Sequence, residues 1–143
     1  MDYFIIDFNI PGEPKSKGRP RFTKTGYKYT PEETASYENL VKLCYQKAAE
    51  KYTNKKMIPA DVPIRVYISA YFMIPKSFSA KKRRMALNRE IFPTKKPDGD
   101  NIIKTICDAM NGIAYADDKQ IVQVTCTKRY AEEPYVHVLI EEY

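Results

Sequence analysis

Five aspartates, Asp98, Asp100, Asp108, Asp117 and Asp118, fall inside the stretch PDGDNIIKTICDAMNGIAYADDKQI, from Pro97 to Ile121. In extended backbone, residues two apart point the same way, so Asp98 and Asp100 can face one spot across Gly99. Asp100, Lys104 and Asp108 are spaced four apart and lie along one face if this segment is helical. The favourable effect of a helix N-terminus on one carboxylate is only ~0.3–1 kcal/mol. That can hold one aspartate but not several close together. Crowded carboxylates either retain a proton or share a cation. An all-oxygen donor set suits Mg²⁺, with Mn²⁺ as a substitute. Each aspartate also has an ordinary explanation: Asp98 as a helix cap, Asp108 as a solvated helix residue, Asp117 and Asp118 as a turn. Lys104 either pairs with Asp100 or Asp108, or contacts a phosphate; its spacing leaves both open.

The elements that must position these residues are legible in the hydrophobic pattern. Phe4, Ile6, Phe8 and Ile10 alternate as one face of a half-buried strand that Pro11 and Gly12 end. A basic loop or loose hairpin follows, turning near Gly26. Thr30 to Glu33 reads as a capping box before a helix with Tyr37, Leu40, Val41, Cys44, Tyr45 and Ala48 on one stripe. Ile64 to Ile74 alternates over a length that suits a central strand, its second face at least partly covered. Ser79 is placed to cap a short basic helix. Asp98 or Asp100 can cap a helix carrying Ile102, Ile103, Ile106 and Met110, stopped by Asn111 and Gly112. Two strands follow, about Gln120 to Tyr130 and Tyr135 to Glu141, joined by the turn AEEP. The order predicts an α/β or α+β fold: a small mixed β-sheet covered by helices, in a single domain over 1–143.

Composition narrows the function classes. The chain has 143 residues, net charge +6 and one histidine. The positive balance favours a polyanionic partner. Cys44, Cys107 and Cys126 are widely spaced in apolar stretches, which suits buried thiols in a reducing compartment. Without a C-x-x-C pair, a zinc site is disfavoured. His137 alternates with Val136 and Val138, as a strand surface residue would. The start MDYFIIDFNIP does not have the pattern of a signal peptide, and no apolar run reaches the ~20 residues of a membrane span. These readings point to a cytoplasmic protein with no membrane role and no small-molecule cofactor.

The order of residues adds a more specific signal. KPDGDNIIKTICDAMNGIAYADDKQI resembles the signature of the RusA family of Holliday junction resolvases: Pro-Asp-x-Asp-Asn, a Lys, Asp-Ala-φ-Asn-Gly, then Asp-Asp-x-Gln-φ. No polar position of that signature departs here. PGEPKSKGRPRFT followed by YTPEETASYE looks, more loosely, like the opening of phage and prophage RusA-like proteins. The resemblance implies a RusA-like fold and a homodimeric, Mg²⁺-dependent endodeoxyribonuclease that resolves four-way DNA junctions by paired symmetric nicks in recombination and repair. It places the catalytic and metal-binding aspartates at Asp98, Asp100 and Asp118 and the catalytic lysine at Lys104. Asp117, Asp108 and Asn101 match motif positions and are taken as supporting.

The basic regions acquire a role under that reading. Lys15, Lys17, Arg19, Arg21 and Lys24, with Lys81, Lys82, Arg83 and Arg84, are candidates for backbone phosphate contacts. Phe22 or Tyr27 could stack on an unpaired base. Lys55, Lys56 and Lys128 read as ordinary solvated lysines. Two other functions keep the same basic surface: a structure-selective nuclease for flaps or forks, and a branched-DNA-binding protein without cleavage. A divalent-ion-binding protein with no nucleic-acid role leaves the basic excess unexplained.

Overall fold

The computed structural model describes residues 4–16, 21–29, 32–52 and 57–143. The elements run β1 (Ile5–Pro11), β2 (Arg21–Phe22), β3 (Lys28–Tyr29), α1 (Glu32–Tyr52), β4 (Ile64–Met73), α2 (Ala80–Leu87), α3 (Gly99–Met110), β5 (Ile121–Ala131) and β6 (Tyr135–Glu142). A single 3₁₀ turn, Asp118–Gln120, sits between α3 and β5. The fold is α+β: a mixed four-stranded sheet with three helices among the described residues.

The sheet order is β1-β6-β4-β5. β6 runs antiparallel to both β1 and β4, whereas β5 lies parallel to β4 on the far edge. The strands flanking the AEEP turn are therefore not neighbours, because β4 lies between them. The alternation read from the sequence sets the inner face. Ile6, Phe8 and Ile10 of β1, Val66, Ile68, Ala70 and Phe72 of β4, and Val136, Val138 and Ile140 of β6 are all buried. The other face is only partly buried, at Tyr67 and Tyr71 of β4 and Tyr135 and Leu139 of β6.

Helices α1 and α3 join the inner face in one core. Tyr37, Val41 and Tyr45 of α1 meet Ile102, Ile106, Ala109 and Met110 of α3 and the sheet residues in a single cluster. Burying each of the larger of these side chains is worth roughly 1.5–3 kcal/mol. Ser79 caps α2 as expected, its hydroxyl accepting from Lys82 N at 3.2 Å. Gly26 turns the β2–β3 hairpin at φ 90°, and Gly112 stops α3 at φ 78°, a region in which side-chain-bearing residues are strained. The capping box anticipated at Thr30 to Glu33 begins outside the described residues.

The described capping box is elsewhere, at Asp117–Gln120. The Asp117 N–H donates to Gln120 Oε1 at 2.9 Å, and Asp117 Oδ1 accepts from Lys119 N at 3.0 Å. Gln120 is 5% exposed. Its Nε2 also donates to the carbonyls of Pro59, 2.6 Å away, and Val62, 3.0 Å away. One buried amide thus pins the turn before β5 to the chain that leads into β4. Replacing Gln120 by Ala orphans those groups, at a cost of roughly 1–3 kcal/mol. We expect Gln120→Ala to lower the unfolding free energy extrapolated from urea titration by that amount, through a lower midpoint at unchanged denaturant slope.

Candidate active site

Helix α3 is amphipathic because its sequence alternates apolar and charged residues at helical spacing. Ile102, Thr105, Ile106, Ala109 and Met110 point into the core. The opposite face carries Asp100 and Lys104, both exposed, and Asp108, half-buried. Lys104 Nζ lies 3.6 Å from Asp108 Oδ2. With a rise of ~1.5 Å per residue, Asp100 stands about 6 Å up the axis from Lys104.

Asp98 occupies the N-cap position of α3 in extended backbone (φ −67°, ψ 152°), yet its side chain makes no capping hydrogen bond. Its carbonyl accepts from Ile102 N at 3.0 Å, so the helix starts without the carboxylate. The ordinary role for Asp98, a side-chain helix cap, is therefore not the one it plays. Gly99 leaves open space between Asp98 and Asp100. Asn101 is half-buried, and its carbonyl accepts from Thr105 Oγ1 at 2.8 Å.

The return from α3 brings the second acidic pair back to this face. The Tyr115 hydroxyl, fully buried, donates to the Cys107 carbonyl and anchors the return segment under α3. Asp117 and Asp118 follow at once. The backbone N–H of Lys119, and then the hydrogen bond with Asp118, hold Asp117 below the usual carboxylate range. Asp118 is pushed the other way: its hydrogen bond to Asp117 comes first, then burial, then repulsion from Asp117 and Asp108, while Lys104 opposes the rise. The hydrogen bond between them thus drives the two carboxyls apart, Asp117 down and Asp118 up. Lys104 is paired with Asp108 and close enough to Asp118 to oppose its rise, with Asp100 one turn earlier on the same exposed face.

The structure thus groups Lys104, Asp108, Asp117 and Asp118, with Asp98 and Asp100 toward the N-terminal end of the same helix. Among the described residues, no three His, Cys, Asp or Glu side chains form a ready-made metal cage. The donor chemistry nevertheless suits a hard divalent cation. The groups are carboxylates, Asp98 is not engaged in capping, and Asp118 is pushed up by its hydrogen bond to Asp117 and by repulsion that a cation would relieve.

The basic candidates divide. Lys15 and Lys24 are exposed, and Arg21 forms part of β2. Lys17 and Arg19 lie outside the described residues. Phe22 and Tyr27 are exposed on the hairpin, at 68% and 74%. On α2, Lys81 and Arg84 are exposed, Lys82 sits 4.3 Å above the Phe78 ring, and Arg83 lies 3.6 Å from Glu132. Lys128 is not the plain solvated lysine its sequence context suggests. Its register opposite Ala70 turns it to the helix side of β5, and it donates to the Lys95 carbonyl. No local signal marks it, because the register depends on long-range strand pairing. His137 is a strand residue, 3.0 Å from Asp7 Oδ2.

A sequence-family model described as "Endodeoxyribonuclease RusA" matches residues 11–141. The chain belongs to the RusA endodeoxyribonuclease family. It is also 34% identical, over 142 residues that cover 96% of each chain, to "Uncharacterized protein YqaN" of Bacillus subtilis (strain 168). Membership implies a DNA endonuclease of the kind that resolves Holliday junctions and a branched-DNA substrate. Among the described residues, no helix is long and apolar enough to cross a membrane.

The acidic pair makes a direct prediction for the metal-free protein. Carboxyl NMR titration should find Asp117 titrating below Asp118. Asp117→Asn removes both the anionic acceptor and the repulsion, so Asp118 should then titrate at lower pH. An unmoved Asp118 titration would refute the coupling between the two carboxyls.

Proposed function

We propose that the protein is a Mg²⁺-dependent endodeoxyribonuclease that resolves four-way DNA junctions by paired symmetric nicks. The observation that carries this reading is the exposed acidic face of α3 with Lys104 at its centre, joined by Asp118 from the return segment. Asp98, Asp100 and Asp118 would hold the metal, with Mn²⁺ a possible substitute. Bound there, Mg²⁺ would supply the charge that activates water and stabilises the phosphate transition state.

The chain's own groups have separate tasks. Asp118 would bind the metal in its ionised form, and Asp117, held low by the Lys119 N–H, is the neighbour to which it is hydrogen bonded. Lys104, 63% exposed, can turn from Asp108 toward a scissile phosphate and stabilise the charge that grows on it. Asp108 holds that ammonium in place until then. Tyr115 keeps the return segment against α3 and Gln120 ties it to the chain leading into β4, so the two halves of the site move as one. No histidine, serine or cysteine nucleophile is needed.

Junction symmetry favours a homodimer, since a two-fold pair presents equivalent sites to two strands. The partly buried sheet face supports this, with Ile5 exposed and Tyr71 and Tyr135 stacked 4.4 Å apart. Lys15, Lys24, Lys81 and Arg84 would contact the arms through backbone phosphates, as would Lys17, Arg19 and Arg21.

The test uses a labelled four-way junction, a matched duplex and a flap, with Mg²⁺ or EDTA. We expect paired symmetric nicks confined to the junction. EDTA should abolish them, and Asp100→Asn should slow them at least a hundredfold, a loss of about 2.7 kcal/mol in transition-state stabilisation. Equal cutting of the flap would replace junction resolution with broader structure selectivity. Salt-sensitive binding without cleavage in Mg²⁺ or Mn²⁺ would leave only a DNA-binding protein.

A further inference from the structure

Two lysine ammonium groups converge on one aromatic ring beside the chain that leads into the site. Lys128 Nζ lies 5.2 Å from the Phe72 ring centroid, and Lys95 Nζ lies 5.8 Å from the same centroid. Phe72 is 1% exposed, so the two side chains cover a buried ring. Like charges brought together this way are unfavourable without a counter-charge. Among the described residues, no carboxylate lies within ion-pair distance of either one. The Lys128 ammonium gives one of its three donors to the Lys95 carbonyl and keeps two. On β5 it shares a face with Val124, Cys126 and Tyr130, an inward position where an apolar residue would be expected.

We propose that Lys95 and Lys128 together form a seat for one DNA backbone phosphate, which sets the register of the strand to be cut. The proposal rests on the nuclease reading above and adds a specific anion site to it. Lys95 is three residues before Asp98, so at most roughly 11 Å separates their Cα atoms. A phosphate on the two ammoniums would thus lie within a few nucleotides of the one addressed by the acidic face. The Lys128 hydrogen bond also fixes the backbone of the segment that delivers Asp98. Occupying the seat therefore couples strand position to the start of α3. Phosphate supplies the missing counter-charge, and the apolar floor of Phe72 keeps water from one side of the pair.

An inward lysine on an edge strand has another use, protection of the open edge from pairing with other chains. The test separates the two roles. Binding of a labelled four-way junction is followed by anisotropy in EDTA between roughly 50 and 200 mM salt. Wild type, Lys95→Met, Lys128→Met, Lys128→Arg and the double methionine variant are compared. Each single methionine variant should weaken binding roughly tenfold and reduce the log–log salt slope by about one. The double variant should lose no further slope, because the phosphate is shared, and Lys128→Arg should keep the wild-type slope. Lys95→Met leaves its carbonyl in place, so it tests the charge even if Lys128→Met lowers the melting temperature. Unchanged slopes in both methionine variants, with wild type binding normally, would overturn the seat and leave the nuclease reading intact. A slope loss of about two in the double variant would overturn the shared phosphate. Absence of salt-dependent binding by wild type would defeat both readings.

Discussion

Burial of the Ile102–Ile106–Met110 side of α3 against the sheet determines where the charged residues stand. A helix has one orientation about its axis once an apolar stripe is committed to a core. Here that commitment sends Asp100, Lys104 and Asp108 outward together. The return segment is then constrained from two sides. Tyr115 ties it to the Cys107 carbonyl, and Gln120 ties it to the carbonyls of Pro59 and Val62. Asp118 has little freedom left between these anchors. Buried residues thus set the acidic face.

Opposite charges meet on the acidic face without cancelling at Asp118. Lys104 offsets part of the repulsion on Asp118, and Lys119 N steadies Asp117, yet Asp118 stays pushed up by its hydrogen bond to Asp117 and by repulsion. Asp98 sits where a capping carboxylate belongs and does not cap. Sites with unspent electrostatic potential of this kind are able to bind or react. The deeper groups behave differently. Burial pushes the Cys107 thiol up to about 12, which keeps it an inert part of the core.

Much of this was legible before any coordinates. Strict alternation in β1 and β4 marked the inner sheet face, and the spacing of Ile102, Ile106 and Met110 marked the buried side of α3. The four-residue repeat placed Lys104 on one face with Asp100 and Asp108 without choosing between them, and the structure pairs it with Asp108. Partners set by distant packing were hidden. The AEEP turn suggests adjacent strands, but β5 pairs with β4 instead, and that pairing alone turns Lys128 toward Lys95. The pattern D-x-x-Q at Asp117 carries a capping box, but nothing local to it marks Gln120 as buried. Its buried contacts with Pro59 and Val62 join parts of the chain too far apart for local pattern to reveal.

The parallel pairing of β4 and β5 has a consequence for how the molecule comes into being. Everything from α2 to the Asp118 turn lies on one long excursion between two adjacent strands. Closing such an excursion costs chain entropy before the strand contacts can repay it, so pairing of this kind forms late. During synthesis, Asp98, Asp100 and Lys104 leave the ribosome well before β5 does. The acidic face is therefore assembled only when the last edge strand docks. A nascent or truncated chain would carry the chemical groups of a DNA-cutting enzyme without their arrangement, so competence to cut is deferred until folding is complete.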